Sequence, residues 1–234
     1  MGCGASTPAQ GKYANKGITD VSSFSFEETT TLLDLSDNAI TDVSCLKLPP
    51  QLKTLLLSGN RIADVSQLAL PDGLEHLDLS SNELSNGVSA LVLPQSLQRL
   101  TLKSNAVGDD GMKNLLANAA SNGVALRELD VSFNEIADVS FDVLSLDLTK
   151  LTTLDLSGNT ITDVSTLAPA DLPSLVALHL KSNQIVDASP LLGASNALSE
   201  LHLDNNQIVS LAGYDSSSSL VPSRVCTLQS IERF

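Results

Sequence analysis

The chain has 234 residues, with 27 acidic and 13 basic side chains and a formal charge of −14; hydrophobics make up 42% and aromatics only 3%. So acidic a surface is soluble and repels nucleic acid and anionic lipid. Rows of aliphatic side chains must therefore fill the core, and no apolar run approaches the roughly 18 residues of a spanning helix.

In chain order, the first residues, MGCGASTPAQGKYANKG, lack the apolar centre of a secretory signal, so an intracellular, reducing setting is expected. Cys3, Cys45 and Cys226 are odd in number and far apart, which fits neither a disulfide framework nor a zinc site. Cys45 is expected to be a small buried apolar residue. Residues 1–14 are small, polar and without periodicity, and a flexible segment is expected there. Its start, Met1-Gly2-Cys3-Gly4-Ala5-Ser6, fits the N-myristoylation pattern, with the Gly2 amine exposed once Met1 is removed and serine in sixth place. One myristoyl chain binds membranes only marginally, so a second anchor is needed. Lys12 and Lys16, at about 1 kcal/mol each, help little against the acidic body. The second anchor then falls to Cys3, which looks like the palmitoylation site of dually acylated signalling proteins. On that reading the protein sits at the cytoplasmic leaflet of a membrane, with roughly 11 flexible residues holding the body about 17–20 Å away.

Ile18-Thr-Asp-Val-Ser22 then matches Ile40-Thr-Asp-Val-Ser44 letter for letter, as the second half of a unit whose first half is missing. With Phe24 and Phe26, residues 15–29 are expected to cap the open end of a stack. Residues 30–211 repeat one sentence eight times. Its clearest copy, 151–167, reads LTTLDLSGNTITDVSTL: Leu-x-x-Leu-x-Leu-x-x-Asn-x-Ile followed by x-Asp-Val-Ser. The same frame fits 52–62, 74–84, 97–107, 126–136, 175–185 and 198–208. The first copy is centred on Leu33, Leu35, Asn38 and Ile40, with Thr30 in place of its leading leucine. Asn38, Asn60, Asn82, Asn105, Asn134, Asn159, Asn183 and Asn206 are separated by 22, 22, 23, 29, 25, 24 and 23 residues. Most return segments are thus too short for more than extended chain or one helical turn. The exception, 108–125, has Met112, Leu115, Leu116 and Ala119 at helical spacing before Asn122-Gly123, and predicts a helix of about two to three turns on the convex side. Residues 212–234 are expected to form a C-terminal cap and tail, with 216–219 as a serine loop.

Strand alternation points Leu154 and Leu156 inward and Thr153, Asp155 and Ser157 outward, with the next strand about 4.8 Å away. Asn159 follows where the chain turns in, and its amide can satisfy backbone groups of neighbouring turns. Asp20, Asp42, Asp64, Asp138, Asp163 and Asp187 are expected to cap the following turn. One carboxylate per turn falls far short of the 6–8 oxygens of a calcium site.

These motifs, from about Ile18 to Leu211, resemble the leucine-rich repeat proteins. The short period and the Asn-x-Ile-x-Asp-Val-Ser wording look most like the class that holds phosphatase-regulating repeat proteins and bacterial internalins, while the long fourth repeat leans towards the ribonuclease-inhibitor type. The resemblance implies an α/β solenoid whose curved parallel sheet lines a concave face and holds other proteins there. It carries over no binding residues, because the shared letters are structural.

The outward face of the strands forms three columns. The middle one is Asp34, Leu56, Asp78, Thr101, Asp130, Asp155, His179 and His202. Before it run Leu32, Thr54, His76, Arg99, Glu128, Thr153, Ala177 and Glu200, and after it Ser36, Ser58, Ser80, Lys103, Ser132, Ser157, Lys181 and Asp204. Such a face, mainly acidic but broken by Arg99, Lys103 and Lys181, suits a basic segment of a protein partner, whose arrival the carboxylates would steer. His179 and His202 fall on adjacent strands with Asp155 and Asp204 near, a grouping that suits a zinc site or a site whose charge changes at about pH 6; nothing in a shallow open sheet enforces tetrahedral geometry, so neither a metal nor a cofactor is assigned. The sequence offers no phosphate loop or nucleophile elbow, and the pair His76/Asp78 would lie open to water, so catalysis is not expected. The leading expectation is a monomeric, non-enzymatic scaffold tethered by its lipids. The alternative is a soluble regulatory subunit of an enzyme such as a protein phosphatase.

Overall fold

The computed structural model describes residues 9–140, 148–167, 172–192 and 197–209. Nine parallel strands lie side by side in chain order: β1 Ala9–Lys12, β2 Thr30–Asp34, β3 Thr54–Leu56, β4 His76–Asp78, β5 Arg99–Thr101, β6 Glu128–Asp130, β7 Thr153–Asp155, β8 Ala177–His179 and β9 Glu200–His202. Each is short because only its Leu-x-Leu core needs extended backbone. The register locks leucine on leucine, Leu33 opposite Leu55, Leu55 opposite Leu77, and so through Leu178 and Leu201. Behind the sheet Leu35, Leu57, Leu79, Leu102 and Leu156 are completely buried, and Ile40, Ile62, Ile136, Ile161 and Ile185 close the core from the return limb. The sheet is open and curved, as an α/β leucine-rich repeat solenoid requires. Among the described residues no helix is long and apolar enough to cross a membrane.

The asparagines tie the stack together. Asn60 donates from Nδ2 to the carbonyls of Leu57 in its own repeat and Leu35 in the previous one, at 2.9 and 3.0 Å, while its Oδ1 accepts the Ile40 N–H at 3.0 Å. The further asparagines bond in the same way, Asn134 using the Ser132 carbonyl within its own repeat, so carbonyls and N–H groups beyond the reach of sheet pairing keep partners. The residue before each asparagine turns the chain in and takes a left-handed conformation: Asp37, Gly59, Ser81, Ser104, Phe133, Gly158, Ser182 and Asn205 have φ between 52° and 68°.

The aspartates of the return limb act as expected. The Ser22, Ser44, Ser66, Ser140, Ser165 and Ser189 N–H groups donate to the carboxylate two residues earlier at 2.7–2.9 Å. Those hydrogen bonds hold Asp20, Asp42, Asp64, Asp138, Asp163 and Asp187 below the ordinary carboxylate pKa.

Three expectations need correction. Residues 9–14 are not part of a flexible tail: β1 pairs with β2, and Tyr13 and Asn15 donate their N–H groups to the Asp34 and Ser36 carbonyls at 2.7 and 3.0 Å. Asn15 has φ 54°, and the Lys16 and Ile18 N–H groups donate to Asn38 Oδ1, so residues 9–29 trace a whole repeat. Gly11 stands where a leucine would, because a Cβ there would lie 2.8 Å from the Leu33 side chain. Tyr13 joins Phe24 and Phe26 in an aromatic cap with ring centroids 5.5–6.0 Å apart. Cys45 is exposed, because Val43 and Leu46 take the inward positions of its turn. The helix of the long repeat, α1 (Gly108–Ser121), has 14 residues, nearly four turns. It buries Met112, Leu115, Leu116 and Ala119 and ends with Asn122 and a left-handed Gly123, φ 67°. Asp109 Oδ1 ties its first turn to the next repeat by accepting the Ala137 and Asp138 N–H groups at 2.8 and 3.0 Å. Leu211, the cap expected over 212–234 and the serines at 216–219 lie outside the described residues, as do Gly2 and Cys3.

Candidate functional site

Strand pairing assembles the three outward columns in the expected order. Asp34 pairs with Leu56, Leu56 with Asp78, Asp130 with Asp155 and His179 with His202; the preceding column runs from Leu32 through His76, Arg99 and Glu128 to Glu200. All fourteen middle and preceding residues from β2 to β8 share one face because each strand shows it every second side chain. Most are half-buried, screened by their neighbours rather than by an overlying layer.

The carboxylates of the middle column are oriented locally. Asp34, Asp78, Asp130 and Asp155 each accept the N–H of the serine two residues on at 2.9–3.1 Å, using Oδ1. That anchors one oxygen and fixes the side-chain rotamer, so the charge stands in a defined place at little entropic cost. Asp130 and Asp155 are direct partners across β6 and β7, which concentrates negative charge at mid-face.

The basic interruptions are each answered by a neighbour. Arg99 grips Glu128 through Nε and Nη2, the latter at 2.6 Å from Oε1, and this bidentate contact lowers the Glu128 pKa and raises that of Arg99. Lys181 lies 4.0 Å from Asp204, which is buried beneath the face instead of displayed on it. Lys103 sits over the ring of Phe133, 5.6 Å from its centroid. The face that remains presents more carboxylate than cation. His76, next to Arg99, is pushed towards its neutral form, first by burial and then by that guanidinium.

Phe133 is a surface residue the repeat pattern did not reveal. It holds the left-handed position at φ 58° and is 51% exposed, next to Gly158, where any Cβ would collide with its ring. A bulky side chain in that conformation is strained, by roughly 1–3 kcal/mol. The only sequence signal was its departure from the small residues that hold the same place in the other repeats.

At the C-terminal end of the sheet, His179 and His202 stack edge to face with centroids 4.8 Å apart. Their third neighbour is Glu200, not Asp204: Glu200 Oε1 lies 3.3 Å from His179 Nε2 and 2.8 Å from His202 Nε2. Asp155 Oδ2 is 3.5 Å from His179 Nδ1. Contact with the imidazoles lowers the Glu200 pKa. Glu200 precedes His202 by two residues on one strand, so its presence on this face followed from alternation.

A parallel sheet built one strand per turn, closed by asparagines and presenting one open face, defines a solenoid repeat protein. Three family models agree: Leucine rich repeat over residues 124–185, Leucine Rich repeats (2 copies) over 50–91, and Leucine Rich repeat over 31–48 and 94–116. The chain is a leucine-rich repeat protein. It is similar in structure to internalin C2 of Listeria monocytogenes, with TM-score 0.64 and 25% identity over 82% of this chain and 78% of that one. The leucine-rich repeat domain of APL1 (TM-score 0.57, 24% identity) is covered over 51% of its length by 79% of this chain. TLR13, solved as a complex with ssRNA13, gives TM-score 0.61 at 23% identity over 83% of this chain, which spans 28% of that protein. The last two likenesses concern the fold alone. No curated protein sequence matches the chain. Leucine-rich repeat domains generally mediate protein–protein interaction and are typically non-enzymatic binding scaffolds.

Proposed function

We propose that this protein is a monomeric, non-enzymatic adaptor that holds a basic segment of a partner protein against the concave face. Acylation at Gly2 and Cys3 brings it to the cytoplasmic leaflet. The observation that carries the docking half is the neutralisation of Arg99 by Glu128 and of Lys181 by Asp204, beside the aligned and locally oriented Asp78, Asp130 and Asp155. A partner cation entering there meets fixed carboxylates that outnumber the cations beside them, Lys103 over the Phe133 ring keeping its charge, and solvent-exposed charges of this kind mainly speed association. Leu56 and Phe133 add apolar contact to the same surface. Support for the lipid half is the Gly2-Cys3 motif and the need of a single acyl chain for a second anchor.

The test has two arms. Asp130→Lys with Asp155→Lys should leave the circular dichroism spectrum unchanged and slow partner capture, about ten-fold or more at low salt; equal recovery of the same partners sinks the acidic trough. In the cells that make the protein, Gly2→Ala should release it from membranes. If wild type and variant are both soluble, the soluble enzyme regulator takes the place of the tethered adaptor.

A further inference from the structure

Two histidines and a glutamate converge at the end of the concave face, and their donor atoms, one from each residue, all lie within 4.8 Å of one another. We infer that His179, Glu200 and His202 bind a divalent transition-metal ion of the zinc class, with a coordination position left open towards the concave face. Four features support this. The ligand set is two imidazole nitrogens and one carboxylate oxygen, the borderline donors that zinc takes when three protein ligands leave a fourth place free.

The spacing also fits. Bonds of about 2.0–2.1 Å in a tetrahedron put ligand atoms roughly 3.3 Å apart. His179 Nε2 and Glu200 Oε1 are 3.3 Å apart, and His202 Nε2 lies 2.8 Å from the same oxygen, so small side-chain rotations open the group to receive an ion. Thirdly, Asp155 Oδ2 faces His179 Nδ1 at 3.5 Å. A carboxylate there stands where zinc-binding histidines usually have an orienting partner for the ring nitrogen that does not bind the metal. Lastly, backbone rigidity holds the group: His179 and His202 are paired across β8 and β9, and Glu200 shares a strand with His202, so no loop must order itself on binding. With three protein ligands the fourth place falls to water, or to a donor atom brought by a docked partner.

The experiment uses the full chain stripped with chelator and dialysed against zinc chloride, with bound metal counted by elemental analysis. One zinc per chain is expected, and Co²⁺ in its place should give the intense visible spectrum of tetrahedral coordination. His179→Ala and His202→Ala should each abolish binding with an unchanged circular dichroism spectrum, His76→Ala should not, and Asp155→Asn should weaken binding about 10- to 100-fold. Absence of bound zinc in the wild type, or a full equivalent retained by both histidine variants, overturns the site. Because Asp155 also faces His179, partner capture is read separately with Asp130→Lys alone, which leaves the histidine group untouched.

Discussion

Asn159→Ala measures how much of the stability resides in the asparagine ladder. The side chain is 6% exposed, and all four of its principal hydrogen bonds go to backbone. Its Oδ1 accepts the Asn134 and Ile136 N–H groups at 2.9 and 3.0 Å, and its Nδ2 donates to the Leu156 and Val131 carbonyls at 2.9 and 3.1 Å. Alanine leaves all four without that partner. At about 1–3 kcal/mol for each buried group left unsatisfied, the low end of the range already sums to roughly 4 kcal/mol, a large part of the 5–15 kcal/mol that holds an ordinary domain together. The low end applies because water can enter the space the amide vacates. Asn105→Ala is the control: Asn105 is half-buried and its Oδ1 accepts one N–H, from Leu84 at 3.0 Å, so roughly half the loss is expected. Urea unfolding followed by circular dichroism reads both. A loss below about 1.5 kcal/mol for Asn159→Ala, or one no larger than for Asn105→Ala, would refute the reasoning.

Leu156→Asp buries an unpaired carboxylate at a position with no exposure and should prevent folding; a melting curve close to wild type means the inward register is wrong. Phe133→Gly removes the left-handed strain at φ 58° and should raise stability by about 1 kcal/mol while weakening partner capture, whereas a lower urea midpoint would show that the ring's packing outweighs the strain. For the return-limb aspartates the folded pKa is depressed, so their stabilising effect is present above the ordinary carboxylate value and is lost as pH falls through the folded value. Acid unfolding should therefore begin below pH 3.8, the ordinary value, and Asp163→Asn should make it less steep; an unchanged profile counts against the serine hydrogen bonds as the cause.

What the sequence revealed was whatever the repeat repeats. The columns of the face, the inward leucines and the ladder asparagines recur at fixed spacing, and fixed spacing in this fold is fixed place. What it concealed was the unit whose letters had changed. Residues 9–17 keep the geometry of a repeat, yet Gly11, Tyr13 and Lys16 stand where Leu, Leu and Asn belong, and only the left-handed Asn15 keeps the turn. The contact of Glu200 with His179 was hidden for another reason: columns order residues by Cα, while a long side chain reaches across to the next column. Asp204 failed to join it because its own place in the turn buries it.

The extra residues between Asn105 and Asn134 leave no mark on the sheet. β5 and β6 pair in the same register as every other neighbour, although α1 has been added between them. Length is absorbed on the outer limb, and each strand touches only the strands before and after it. Insertions, grafted peptides or fluorescent labels placed at the α1 position should therefore be silent to whatever the trough holds. The molecule thus has one side that can drift in length and another whose spacing is kept.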